Sequence, residues 1–305
     1  MTVRFDGRVA VVTGAGSGLG RSHALLLASR GAQVVVNDPG GALDGSGGSR
    51  SAADTVVEQI RAAGGAAVAS YDSVSDQAGA ERIVKTGADA FGGHVDILVN
   101  NAGILRDKTF AKMSLDDFRA VVEVHLLGSV YCTKAVWPYM KDRNYGRIVM
   151  TSSGAGLYGS FGQSNYGAAK AAVLGLMNVV KLEGIRNNIL VNAVAPIAAT
   201  RMTEALYPKA ALPHLRSEYV SSAVAYLASE DCTVTGHIIS AGGGYFARAQ
   251  MMEGKGVFLE PEVAGDPDAV ARCFEQISDL SAACGFPGAM EYTEKVLGRF
   301  GPVGT

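Results

Sequence analysis

Val9-Ala10-Val11-Val12-Thr13-Gly14-Ala15-Gly16-Ser17-Gly18-Leu19-Gly20 decides the fold. A short β-branched run reads as a buried strand, and the glycines after it let the backbone turn tightly and approach an anion. The pattern from Arg21 to Ser29 then reads as a helix, whose N-terminus would stabilise that anion's charge. The spacing is T-G-x-x-x-G-x-G, not G-x-G-x-x-G, with Thr13 placed to brace the turn. A pyrophosphate of a dinucleotide is the expected ligand.

Outward from this loop, short apolar runs recur at Gln33 to Asn37, Ala66 to Ser70, Ile97 to Val99, Arg147 to Ser152, Ile189 to Ala195 and His237 to Ser240. Helix-length stretches separate them. Seven strands alternating with helices predict an α/β fold of Rossmann type, a doubly wound parallel sheet with ligands at the strands' carboxyl ends. Residues 1–244 are expected to form this dinucleotide-binding domain. Residues 245–305 would be a C-terminal helical extension packed on it, because Val270, Cys273, Phe274, Ile277 and Leu280 within Pro267 to Cys284 fall at helical spacing. The apolar residues Phe246, Met251, Met252, Val257, Phe258 and Leu259 suggest that the extension walls a substrate site or covers apolar surface. Pro39 to Ser49, rich in Gly and Ser, reads as a mobile loop beside the second strand.

Asp38 ends that second strand, where a carboxylate would accept hydrogen bonds from the adenosine ribose and repel a 2′-phosphate. NAD is therefore expected over NADP. Asp72 follows the third strand, near the adenine amino group or as the start of a turn. Asn100-Asn101-Ala102-Gly103 follows the fourth strand and Ser153 the fifth. Tyr166 and Lys170 stand at i and i+4 on one helix face, where an ammonium favours an ionised phenol. Free tyrosine titrates near 10, so bringing it to neutrality means favouring the phenolate by about 4 kcal/mol. Tyr166 would then exchange the proton of an alcohol while hydride passes to or from nicotinamide, with Ser153 holding the substrate oxygen.

Composition bounds the partners. The 305 residues carry a formal net charge of −2 with 18% charged residues, which offers no basic field for nucleic acid or acidic membranes. A small-molecule substrate follows. Cys132, Cys232, Cys273 and Cys284 are scattered without a C-x-x-C pair or a nearby His cluster, so no disulfide framework and no metal site are expected. Arg4, Asp6 and Arg8 lead into a strand by Val9 and no apolar run reaches membrane-spanning length, so a cytoplasmic protein is expected. Apolar residues on the helices Leu115 to Met140 and Gly167 to Leu182, among them Val121, Leu126, Val130, Val173, Leu176 and Val180, predict a homodimer or homotetramer.

Over most of residues 6 to 245 these motifs resemble the short-chain dehydrogenases/reductases. Within that family, RFDGRV (Arg4 to Val9), VVVND (Val34 to Asp38), YDSV (Tyr71 to Val74), NNAGILRD (Asn100 to Asp107), YGRIVMTSS (Tyr145 to Ser153) and Arg201-Met202-Thr203 resemble the (3R)-hydroxyacyl-CoA dehydrogenase part of peroxisomal multifunctional enzymes of type 2. The resemblance implies Ser153, Tyr166 and Lys170 as catalytic residues, and an acyl-CoA thioester as substrate in lipid metabolism. It implies cofactor contacts from Gly14, Ser17, Gly18, Leu19, Asp38, Asp72, Asn101, Gly103, Tyr166 and Lys170. Where the wider family has a catalytic Asn, this chain has His125, which either orders a proton-relay water through its backbone or is an inert core histidine. Pro196-Ile197 replaces the family's Pro-Gly. The leading expectation is NAD-dependent oxidation of (3R)-3-hydroxyacyl-CoA, without the hydratase and carrier domains of the multifunctional enzymes. A steroid or other secondary-alcohol dehydrogenase, a 3-oxoacyl carrier-protein reductase, and a cofactor-binding regulator without turnover are the alternatives.

Overall fold

A computed structural model describes residues 2–200, 203–204 and 207–298. Arg201 and Met202, singled out above, lie outside the described residues, as do residues 299–305. The chain divides into two compact units, Met1–Arg248 and Ala249–Thr305.

The first unit holds one sheet, built from β1 (Val9–Thr13), β2 (Gln33–Asn37), β3 (Ala66–Ser70), β4 (Ile97–Asn100), β5 (Gly146–Thr151), β6 (Ile189–Pro196), β7 (Ile238–Gly242) and β8 (Tyr245–Ala249). Their order is β3-β2-β1-β4-β5-β6-β7-β8. The first seven are parallel, with Val11 beside Val35 on one side and Leu98 on the other. The order reverses between β1 and β4, and in such sheets the crevice at the carboxyl ends of the strands there is where ligands bind.

Seven strands were expected, and the described residues form eight. Gly243 and Gly244, at φ of 59° and 82°, turn the chain sharply after β7, so that Tyr245–Ala249 adds an edge strand. Its side chains are mostly exposed, which hides the usual apolar signal of a buried strand.

Helices α1 (Gly18–Ser29), α2 (Ser51–Ala62), α3 (Gln77–Ala90), α4 (Leu115–Val122), α5 (Gly128–Asp142), α6 (Gly154–Tyr158), α7 (Ser164–Gly184) and α8 (Ser217–Leu227) complete the unit. The single helix expected from Leu115 to Met140 is two, joined by a π turn over Glu123–Leu127. In the first unit, Val121 and Val173 are fully buried core residues, whereas Val179, Leu182 and Ile185 of the α7 end are more than half exposed. Among the described residues no helix is long and apolar enough to cross a membrane, and no His/Cys/Asp/Glu cluster could hold a metal.

The end of the sheet remote from the crevice is tied by Asp96. Its buried carboxylate accepts from Val9 N at 2.9 Å, Arg143 Nε at 3.2 Å and Arg8 Nη1 at 3.3 Å. In the second unit, Pro267 to Cys284, where at least one helix is expected, holds two short ones, α9 (Pro267–Arg272) and α10 (Phe274–Ile277). A further helix, α11, covers Ala289–Leu297, and Lys295 Nζ donates to Glu253 Oε1 at 2.9 Å within the unit.

α1 begins at Gly18 and not at Arg21, because its first turn lies against β1. A Cβ on Gly20 would sit 2.2 Å from Gly14 O and 2.6 Å from Asn101 Nδ2. Alanine improves helix propensity by about 1 kcal/mol, but overpacking against immobile backbone costs roughly 1–3 kcal/mol. Gly20→Ala is expected to lower the thermal midpoint, checked by calorimetry.

Candidate active site

The crevice is organised by Thr13. Its hydroxyl donates to Val99 O at 3.3 Å and accepts from Asn101 N at 3.0 Å and Ala102 N at 3.1 Å. Asn101 Nδ2 returns to Thr13 O at 2.9 Å and Gly14 O at 3.1 Å, so the carboxamide amine braces the glycine turn. Gly14 and Gly18 have φ of 63° and 53°, a region L side chains seldom adopt. Ser17 stands in extended backbone at the N-cap of α1, where the helix dipole favours negative charge.

Asp38 closes the far side of this loop. Its Oδ2 accepts from Gly16 N at 2.8 Å and its Oδ1 from Gly40 N at 2.7 Å. A Cβ on Gly16 would meet that carboxylate at 2.8 Å, so only glycine admits the contact. Backbone N–H groups and a helix N-terminus supply donors for a dinucleotide's phosphates, a fixed carboxylate supplies an acceptor for ribose hydroxyls, and the residues fit one. Asp72 is differently engaged: its Oδ1 accepts from Arg82 Nε at 2.7 Å.

Pro39 to Ser49 is not an open loop. Ser49 N donates to Pro39 O at 3.0 Å, which closes its base, and Leu105 N donates to Leu43 O at 2.9 Å, which docks its tip beside the crevice. Arg106 Nε adds a bond to Asp44 O at 2.9 Å. Gly and Ser content signals the turns but not these long-range partners.

Two helices bring the proton-transfer residues together. Ser153 caps α6, its Oγ accepting from Ala155 N at 3.1 Å, which leaves the hydroxyl proton to donate elsewhere. α6 crosses α7 at Gly156, where a Cβ would lie 2.8 Å from the Lys170 backbone. Ser152 Oγ donates to Lys170 O at 2.9 Å and Asn165 Oδ1 accepts from Tyr166 N at 2.7 Å, fixing α7 in register. Lys170 is 3% exposed, its Nζ donating to Thr151 O at 2.6 Å and lying 5.6 Å from the centre of the Tyr166 ring. Burial pushes this ammonium down to about 7. Burial raises the Tyr166 phenol, and the Ser153 hydrogen bond pulls it back.

His125 sits in the π turn, 2% exposed, its ring edge-on to Tyr166 with centroids 5.1 Å apart and an interplanar angle of 88°. Its Nε2 lies 2.8 Å from Ile104 O and 3.1 Å from Ile104 N. Gly103 lies under the ring, since a Cβ there would come within 2.3 Å of His125 Cε1. Ser153, Tyr166, Lys170 and His125 thus form one cluster, while Gly14, Ser17, Gly18, Leu19 and Asp38 gather at the glycine loop. Thr151, Asn165 and Gly156 were not anticipated, because their contacts are made by residues far apart in the chain.

Comparison with known proteins agrees with this geometry. A family model described as short chain dehydrogenase matches residues 8–211. Peroxisomal multifunctional enzyme type 2 of Drosophila melanogaster is 51% identical over 284 residues, covering 92% of this chain and 47% of that protein. The chain therefore spans about half the length of this curated relative. The full-length structure of that enzyme gives a TM-score of 0.82 at 42% identity, covering 97% of this chain and 50% of that one. A 7α-hydroxysteroid dehydrogenase complexed with NADH and 7-oxo glycochenodeoxycholic acid gives a TM-score of 0.71 at 28% identity, covering 79% of this chain and 95% of that one.

Lys170 has a folded-state value of about 7, below its ordinary 10.5. Between those values the unfolded chain holds the proton and the folded chain does not, so stability falls as pH drops from 10.5 to about 7 and levels off below. Lys170→Met is expected to remove this slope and to be the more stable protein at pH 7, as measured by urea unfolding of the ligand-free chain at pH 7 and pH 10.

Proposed function

The chain belongs to the short-chain dehydrogenase family, and we propose that it oxidises (3R)-3-hydroxyacyl-CoA thioesters to 3-oxoacyl-CoA with NAD. It is an oxidoreductase acting on CH–OH groups of a small-molecule substrate, with a nicotinamide nucleotide as cofactor. The observation that carries the NAD and alcohol part of the reading is Asp38 at the glycine loop together with Ser153 after β5 and Tyr166 and Lys170 on α7, and the acyl-CoA part is supported by the similarity to multifunctional enzyme type 2. Asp38 and the glycine loop would hold the dinucleotide, whose nicotinamide would supply the acceptor for the hydride of the carbinol carbon. Ser153 donates to the substrate oxygen and orients it. Tyr166 accepts the hydroxyl proton; Ser153 favours the phenolate against the burial that opposes it, and Lys170, lowered by burial to about 7, adds an ammonium at and below neutral pH. Asp38 holds ribose hydroxyls and repels a 2′-phosphate.

NADH formation over a panel of 3R and 3S hydroxyacyl-CoA esters, free hydroxy acids and hydroxysteroids tests the substrate class: turnover confined to the 3R thioesters is expected, and a preference for hydroxysteroids would overturn it. Tyr166→Phe is expected to cost turnover roughly 10²–10⁴-fold while NAD affinity stays within a few fold. Two charges 4 Å apart at a protein surface interact by ~1–4 kcal/mol, so Asp38→Ser is expected to narrow the preference for NAD over NADP by between about 5-fold and several hundred-fold. The same kinetic assay, run with each cofactor, reads this out.

The exposed Val179, Leu182 and Ile185 at the end of α7 are the apolar surface on which we expect two copies to pair. Light scattering at micromolar concentration is expected to give at least a dimer.

A further inference from the structure

No cation follows Asp38 directly in the sequence: Pro39 and Gly40 come next, and the first Arg or Lys is Arg50. In space that separation closes. Ser49 N donates to Pro39 O at 3.0 Å, and a Cβ on Gly40 would run into the Ser49 backbone, so residues 41–48 are pinched off at their base. The chain then enters α2, where a Cβ on Gly16 would meet Ala52 Cβ and Asp38 Oδ2, both at 2.8 Å. Arg50 stands between Ser49, packed on Pro39 and Gly40, and Ala52, packed at the glycine loop. Its backbone is therefore beside the carboxylate expected to hold the adenosine ribose.

The Arg50 side chain is held in place without being neutralised. Its Cζ lies 4.9 Å from the centre of the Tyr71 ring, within the range of a cation–π contact. Asp54 follows Arg50 at i+4, the spacing of a helical ion pair, but its Oδ1 accepts from the Tyr71 hydroxyl at 2.5 Å. Arg50 is exposed and makes no ion pair among the described residues. A guanidinium offers five N–H donors in one plane, a geometry suited to phosphate oxygens. Asp38 and Arg50 thus bring opposite charges to the same end of β2, and the two favour different groups at the ribose 2′ position: a carboxylate favours a hydroxyl, an arginine a phosphate.

We propose that Arg50 forms a latent 2′-phosphate site, a guanidinium beside Asp38 that binds the adenosine 2′-phosphate of NADP and limits how strongly Asp38 selects NAD. This rests on the dinucleotide reading above. Cofactor choice is then a difference between two opposed interactions and not exclusion by one carboxylate. To reach the phosphate, the exposed side chain leaves the Tyr71 ring and exchanges a cation–π contact for charge-assisted hydrogen bonds, the stronger of the two.

Adenosine 5′-monophosphate and adenosine 2′,5′-bisphosphate differ only in the 2′-phosphate, so the ratio of their Kd values, measured by titration calorimetry on the full chain, isolates that group without turnover. Arg50→Ala is expected to shift the ratio against the bisphosphate by roughly ten-fold to a hundred-fold, the scale of a hydrogen bond to a charged group, and Arg50→Lys by less. The shift is expected to shrink at high salt, as an exposed charge interaction does. Adding Arg50→Ala to Asp38→Ser is expected to cause the same loss from a tighter starting affinity. Because Asp38 also anchors Gly16 N and Gly40 N, the comparison of wild type with Arg50→Ala stands by itself if Asp38→Ser does not fold. A ratio that Arg50→Ala moves by less than about two-fold overturns the proposal. If 5′-monophosphate is still bound in that case, the dinucleotide reading survives; wild-type protein that binds neither nucleotide nor NAD overturns both.

Discussion

The hydroxyl of Thr13 is the constraint on which the crevice depends. It makes three hydrogen bonds, one given to Val99 O and two taken from Asn101 N and Ala102 N, the most that one donor and two lone pairs allow. With Asn101 answering from β4 to Thr13 O and Gly14 O, the ends of β1 and β4 are cross-tied at the point where strand order reverses. The backbone therefore turns where no side chain is available to fill the space. Gly20 lets α1 come close enough to aim its N-terminus at the gap. Asp96 performs the corresponding task at the opposite end, where a buried carboxylate shared by guanidinium groups and a backbone N–H holds β1 and β4 together away from the chemistry.

The proton-transfer site works against its own burial. Removing Lys170 from water disfavours its ammonium, and removing Tyr166 from water disfavours its phenolate, yet the proposed reaction calls for each charge beside the other. The protein offsets this with few bonds. Thr151 O receives the ammonium, Ser153 favours the phenolate, and the crossing of α6 over α7 at Gly156 keeps them in place. A functional site that costs stability in this way is expected where a charge must stay responsive to a reacting neighbour.

The π turn shows how a small change of helix periodicity becomes a site. An uninterrupted helix from Leu115 would rotate every later side chain; the wider turn at Glu123–Leu127 instead directs His125 into the core against Tyr166 and Ile104. Apolar periodicity cannot register it, because residues on both sides still alternate with nearly the same period.

What the sequence determined by itself was everything carried by local pattern. β-branched runs, glycines after the first of them, an acidic residue at the end of the second, and a Tyr and Lys one helical turn apart suffice for a doubly wound sheet and for the loop at its crevice. β8 escaped because its exposed residues carry no buried-strand signal, and the break after α9 because helical spacing continues across it. Only the tertiary structure decided which groups meet. Val121 and Val173 turned inward, Asp72 was taken by Arg82, the Pro39–Ser49 loop docked at Leu105, and His125 came to rest between Ile104 and Tyr166. Those outcomes depend on contacts between residues far apart in the chain, whose geometry is set by how helices pack on the sheet and not by any neighbour in sequence.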